Sequence, residues 1–86
     1  MKVSFHNRFN KSYKRCPAKV QKQFKKRLKS FLENPYNPLL ENHALGGDWQ
    51  DFRSINVTGD YRALYYHLVD DTVEFFIIDT HSNLYG

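Results

Sequence analysis

The sequence predicts an α+β fold in the order β-α-α-β-β-β, a helical hairpin packed on a small, mainly antiparallel twisted sheet. Three observations predict it. Apolar residues recur at helical spacing as far as Glu33 and at strand spacing after Trp49. Two tight turns, Thr58-Gly59-Asp60 and Asp70-Asp71, cut the second region into three runs. Turns that short make consecutive strands antiparallel neighbours, and an amphipathic helical pair must then lie on the sheet they form. At 86 residues the expected organisation is one domain, 1–86, with seven Phe, six Tyr and one Trp to fill its core.

The elements follow in order. Val3 and Phe5 alternate with polar neighbours over Lys2 to His6, as in a half-buried strand. Asn7 is placed to cap a short helix whose Phe9 and Tyr13 share one face. Pro17 interrupts it and suits the first position of a second helix. That helix runs to about Glu33, with Val20, Phe24, Leu28, Phe31 and Leu32 on one stripe, and Asn34-Pro35 ends it. Residues 36–48, with Pro38, Gly46 and Gly47, read as a loop pinned by Leu39, Leu40, Ala44 and Leu45. The strands are Phe52 to Val57, Tyr61 to Leu68 and Thr72 to Thr80, after which the chain leaves the sheet.

Charge is distributed very unevenly along the chain. Eleven of the thirteen Lys and Arg lie at or before Lys29, and all nine Asp and Glu lie at or after Glu33. The first 29 residues therefore carry +11 and the remainder −7, within a net charge of +4. Such a basic helical face is either simply solvated or neutralises phosphates or an acidic protein segment. Lys22, Lys25, Lys26 and Lys29, off the apolar stripe, are the lysines that would contact RNA in the phosphate reading, and charge alone does not choose between the readings. The single cysteine, Cys16, rules out an internal disulfide framework and fits a reducing compartment. No apolar run approaches the roughly 18 residues of a membrane span, and the N-terminus lacks the apolar core of a signal peptide. A cytoplasmic protein without a membrane partner is the expectation.

Several chemistries lack their residues. There is no Gly-rich phosphate loop, Cys-x-x-Cys or His-Glu-x-x-His, so neither a metal site nor a cofactor is expected. Cys16, beside Pro17, reads as a packed side chain. His81 follows the last strand and precedes Ser82-Asn83. Two roles fit it: proton transfer near neutral pH, or a surface residue capping the sheet edge. His43 lies in the loop before the sheet, where it can reach the same end; His6 and His67 fall inside strand patterns. Arg53 and Arg62, the only cations after Lys29, either pair with Asp51 and Asp60 or form a fork for a phosphate. Trp49, Phe52, Tyr61 and Tyr85 are candidate stacking platforms for bases.

Three stretches together resemble a known family. They are His43-Ala44-Leu45-Gly46-Gly47-Asp48-Trp49-Gln50-Asp51-Phe52-Arg53-Ser54-Ile55, then Gly59-Asp60-Tyr61-Arg62-Ala63-Leu64-Tyr65-Tyr66, then Asp79-Thr80-His81-Ser82-Asn83-Leu84-Tyr85-Gly86. The pattern resembles the RelE/ParE superfamily of bacterial type II toxins, and most of all its YafQ-like branch. The resemblance implies an mRNA endoribonuclease acting on the ribosome and neutralised by a cognate antitoxin. It implies acid–base work for His81, site roles for His43, Asp60 and Tyr85, and phosphate stabilisation by Arg62. Three positions depart from the branch: Asn56 stands for a second histidine, Tyr61 for a tryptophan and Ile77 for an arginine. The superfamily also implies two rival readings, a ParE-like gyrase inhibitor without nuclease chemistry and a decayed toxin that only binds its antitoxin.

Overall fold

His6 and Pro17 set the starts of the two N-terminal helices in the computed structural model, which describes residues 1–86. Strand β1 (Lys2–Phe5) leads directly into α1 (Asn7–Arg15). The cap of α1 is His6 rather than Asn7: its Nδ1 accepts from the Arg8 N–H at 3.0 Å while its backbone stays extended. Cys16 is extended as well (φ −70°, ψ 145°), the conformation that a following proline imposes. Pro17 caps α2 (Ala18–Glu33) instead of opening it, its carbonyl accepting from Val20 and Gln21. Asn34, extended before Pro35, stops α2.

The rest of the chain builds the sheet. Strands β3 (Arg53–Asn56), β4 (Tyr61–His67) and β5 (Thr72–Thr80) pair antiparallel in succession. Two pairings extend the sheet beyond those three. β1 lies parallel to β5, with Val3 opposite Val73 and Phe5 opposite Phe75. Residues 36–48 are not wholly loop: Pro38–Leu40 form a 3-10 turn, and β2 (His43–Ala44) pairs antiparallel with β3. The spatial order is β1-β5-β4-β3-β2. The chain after Thr80 does not simply leave the sheet; it forms a one-turn helix, α3 (His81–Tyr85), capped by the Thr80 hydroxyl on the Asn83 N–H.

Alternation sends the sheet's side chains to two faces. Ile55, Val57, Ala63, Tyr65, Val73, Phe75 and Ile78 join Phe9, Val20, Phe24 and Phe31 of the helices in the main core. Phe75 is its centre, its ring within 6.0 Å of those of Phe5, Phe9, Phe24, Phe31 and Tyr65. Leu28 packs partly against this core, whereas Leu32 falls off the stripe and is exposed. Of the loop's apolar residues, Leu40 is fully buried and Leu45 half-buried, but Leu39 and Ala44 point to solvent.

A bulge in β5 shapes the opposite face. Tyr65 pairs with Phe75 and Leu64 with Ile77, which leaves Phe76 as the extra residue. Phe76 and Ile77 both contribute to a second, smaller cluster with Leu64, Leu84, Leu45, Trp49 and Phe52. Through Leu84, α3 is seated on this open face, and the Trp49 indole N–H donates to the Leu84 carbonyl at 3.0 Å. The helical hairpin therefore covers one side of the sheet and α3 part of the other.

Candidate active site

The β3–β4 turn and the start of α3 are built into one another. Thr58 Oγ1 accepts from the N–H groups of Asp60 and Tyr61. Arg62 bends back over the same turn and donates through one guanidinium nitrogen to the carbonyls of Thr58, Gly59 and Tyr61. The Asp60 carbonyl accepts the His81 N–H at 2.9 Å, so the turn carrying Asp60 and the helix carrying His81 are hydrogen-bonded neighbours. His81 and Tyr85, one helical turn apart, bring their rings to 4.7 Å. Both are exposed. Asp60, Arg62, His81 and Tyr85 thus gather at one end of the β4–β5 pair.

Cross-strand register adds a facing wall. Asn56, Arg62 and Asp79 form one row across β3, β4 and β5. The Asn56 amide donates to the carboxylate of Glu41. Glu41 adopts a left-handed backbone (φ 45°), and its carbonyl accepts from His43 Nδ1 at 2.8 Å. A carbonyl can only accept, so His43 Nδ1 is the donor in this bond. His43 belongs to the next row, with Ser54, Leu64 and Ile77. Because directly paired residues share a face, His43 stands on the side where α3 sits. It is three strand spacings from β5, about 14 Å, so it reaches the same face but not the His81 ring. Glu41 carries no signal in the sequence pattern; its place follows from a single left-handed turn.

The three departures from the YafQ-like pattern have physical counterparts. Asn56 holds Glu41. Ile77 is buried beneath α3 with Leu64 and Leu84, a position that seats the helix by apolar contact. Tyr61 packs partly on the main core, and burial, then the neighbouring Cys16, Asp79 and Asp60, holds its hydroxyl above the ordinary tyrosine range.

Other candidate residues lie elsewhere. Arg53 pairs in register with Tyr65, on the helix-covered face, and so points away from Arg62. Its Nε donates to Asn42 Oδ1 at 2.9 Å and its guanidinium lies 5.6 Å from the Tyr36 ring centre. Asn42 in turn donates to the Tyr65 hydroxyl and the Pro35 carbonyl. Arg53 therefore ties down the loop that carries Glu41 and His43; the two arginines form neither a fork nor ion pairs with Asp51 and Asp60. Trp49 is half-buried, its indole packed edge-on at 5.3 Å from Phe52 and committed to α3. Lys22, Lys25, Lys26 and Lys29 are exposed along α2, and no Lys or Arg side chain pairs with a carboxylate. Burial, then Asp79, holds the Cys16 thiol above its ordinary value, as for a packed thiol rather than a nucleophile.

The fold, a helical hairpin on a five-stranded mixed sheet, is that of the RelE/ParE superfamily. More particularly, the chain belongs to the family of the ParE toxin of type II toxin-antitoxin systems, parDE, whose profile matches residues 3–85. Solved structures share the fold. YafQ from Escherichia coli strain BL21(DE3) superposes with a TM-score of 0.81 at 21% identity, covering 99% of this chain and 98% of that one. A YoeB/ParE toxin from Agrobacterium tumefaciens gives 0.76 at 19% identity over 94% and 99%. A chain of the E. coli DinJ–YafQ complex gives 0.71 at 24% identity over 99% and 98%. No curated protein sequence matches significantly.

Proposed function

We propose that this toxin is a ribosome-dependent mRNA endoribonuclease that works by acid–base transesterification and is held inactive by a cognate antitoxin. What supports the reading is the row of Asn56, Arg62 and Asp79, with Glu41 bonded to Asn56 on the β3 side and, on the β5 side, the His81 N–H bonded to the turn that Arg62 covers. Attack of a ribose 2′-oxygen on the adjacent phosphorus needs a proton acceptor for the hydroxyl, a proton donor for the departing 5′-oxygen and donors for the charge between them. In this reading His81 protonates the 5′-oxygen and the wall of Glu41 and His43 takes the 2′ proton. The free donors of Arg62 meet the phosphate oxygens, and Asp60 anchors the start of α3. Tyr85, against His81, positions or stacks a base. The product ends are a 2′,3′-cyclic phosphate and a 5′-hydroxyl.

The unpaired lysines of α2 supply the salt-sensitive contact to ribosomal RNA and mRNA. The antitoxin partner is supported by the DinJ–YafQ complex, whose YafQ chain shares this fold. No helix of the chain is long and apolar enough to cross a membrane; in this reading the toxin works where translating ribosomes are, in the cytoplasm. Induced expression followed by mapping of new mRNA 5′ ends tests the reading. His81→Ala, at an exposed position, is expected to keep the fold and lose both cleavage and toxicity; a fully toxic variant refutes the assignment. The second reading, gyrase inhibition without cleavage, is favoured by the ParE family match alone.

A further inference from the structure

A cavity of about 290 Å³ opens behind the candidate active site, between the end of α1, the end of β5 and α3. Arg15, Tyr61, Asp79 and Asn83 line it, with Ser12 and the buried Cys16 toward its base. Tyr61 lies between Asp60 and Arg62 in sequence, and Asn83 is two residues beyond His81, so the cavity shares a rim with the reacting row.

Its hydrogen-bonding capacity is unevenly used. Asp79 Oδ1 accepts from the Thr80 N–H at 2.7 Å and from Asn83 Nδ2 at 2.9 Å, while no protein donor reaches Oδ2. Committing the Asn83 amide nitrogen to Asp79 leaves its carbonyl oxygen as a second acceptor. The Tyr61 hydroxyl has no partner, and its raised pKa keeps it a donor at neutral pH. Arg15, exposed at the rim, is unpaired. The cavity thus offers adjacent acceptors, a phenol donor, an aromatic face and a cation.

Resting on the RNA-cleaving reading, we infer that this cavity is a guanine subsite for a nucleotide next to the cleaved bond. Guanine alone among the four bases presents two neighbouring donors, N1–H and the 2-amino group, beside an acceptor, O6. A carboxylate oxygen and an amide oxygen meet the two donors; the Tyr61 hydroxyl meets O6. Adenine, cytosine and uracil each set a ring acceptor or carbonyl oxygen against Asp79, where two acceptors repel. Arg15 takes the nucleotide's phosphate.

Titration of the isotope-labelled full chain with 5′-GMP, AMP, CMP, UMP and IMP, followed by amide chemical shifts, tests the inference without cleavage. GMP is expected to shift Tyr61, Asp79 and Asn83 saturably and to bind at least tenfold tighter than AMP, CMP or UMP. IMP, which lacks the 2-amino group, falls between. Asp79→Asn should remove the preference; Asn83→Ala, at an exposed position, should weaken GMP by several-fold with the fold intact. Equal binding of all nucleotides, shifts confined to another surface, or an undiminished preference in both variants overturns the subsite. The two readings fail separately. A base-indifferent titration leaves cleavage by His81 standing, whereas a toxic His81→Ala protein that still prefers GMP removes the His81 assignment and keeps the guanine site.

Discussion

Glu41 holds a left-handed backbone without being glycine, a conformation that costs about 1 kcal/mol. Strain of this kind persists where the surroundings fix it, here the Asn56 amide and the His43 imidazole. Glu41→Gln is expected to lower single-turnover cleavage by about 10²-fold, within the range for a general base, with thermal stability unchanged; full activity would return the proton acceptor to His43. A second titratable pair lies away from the row. The Tyr66 hydroxyl donates to the Glu74 carboxylate, which lowers the pKa of Glu74 from its ordinary 4.5, with help from Ser4 and His6 and against burial. The same bond pushes Tyr66 up to about 12. A depressed carboxyl stabilises the fold above pH 4.5 and loses that contribution as pH falls through its folded value. Glu74→Gln should therefore cost about 1 kcal/mol at pH 7, and urea unfolding should show the gap from wild type closing below pH 4.5. That His81, Arg62 and Asp60 come together at one end of the sheet was legible, because they flank turns that the sequence marks plainly. The opposite facing of Arg53 and Arg62 was not, because it depends on a register that no local pattern states.

α3 is the element on which the site depends most and which the sequence shows least. Five residues are too few for a helical period, and only the Thr80 cap marks its start. β2 is shorter still, and β1 joins β5 across about 70 residues of chain, so neither pairing leaves a local trace. By contrast β4, β5 and the α1–α2 hairpin were readable, since alternation, the Phe9–Tyr13 spacing and Pro17 are local signals. Leu84 is the apolar anchor of α3. Leu84→Ala should remove about 2 kcal/mol from its docking, speed amide exchange at residues 81–86 and lower cleavage at least tenfold, while amides of β4 and β5 keep their protection. Unchanged exchange in α3 would show that the Trp49–Leu84 hydrogen bond alone suffices to hold it.

The whole molecule largely separates its charges by layer: ten of the thirteen Lys and Arg lie on the helical hairpin, and every acid but Glu33 lies on the sheet and its loops. Replacing Lys22, Lys25, Lys26 and Lys29 together by Ala should reduce the slope of log affinity for ribosomes against log salt by about 0.7 for each phosphate that a lysine no longer neutralises. An unaltered slope would mean that α2 faces a different partner. The charge imbalance was plain in the sequence, but its partner was not, since phosphates and acidic protein segments attract the same lysines. The central claim is that this fold cuts mRNA through His81. It is tested most directly by purified toxin added to ribosomes translating a defined message, with 5′ ends mapped beside a gyrase supercoiling assay. The account predicts new 5′-hydroxyl ends with the wild type, none with His81→Ala, and supercoiling unaffected by either. Supercoiling inhibited by both proteins, with the message intact, would contradict it.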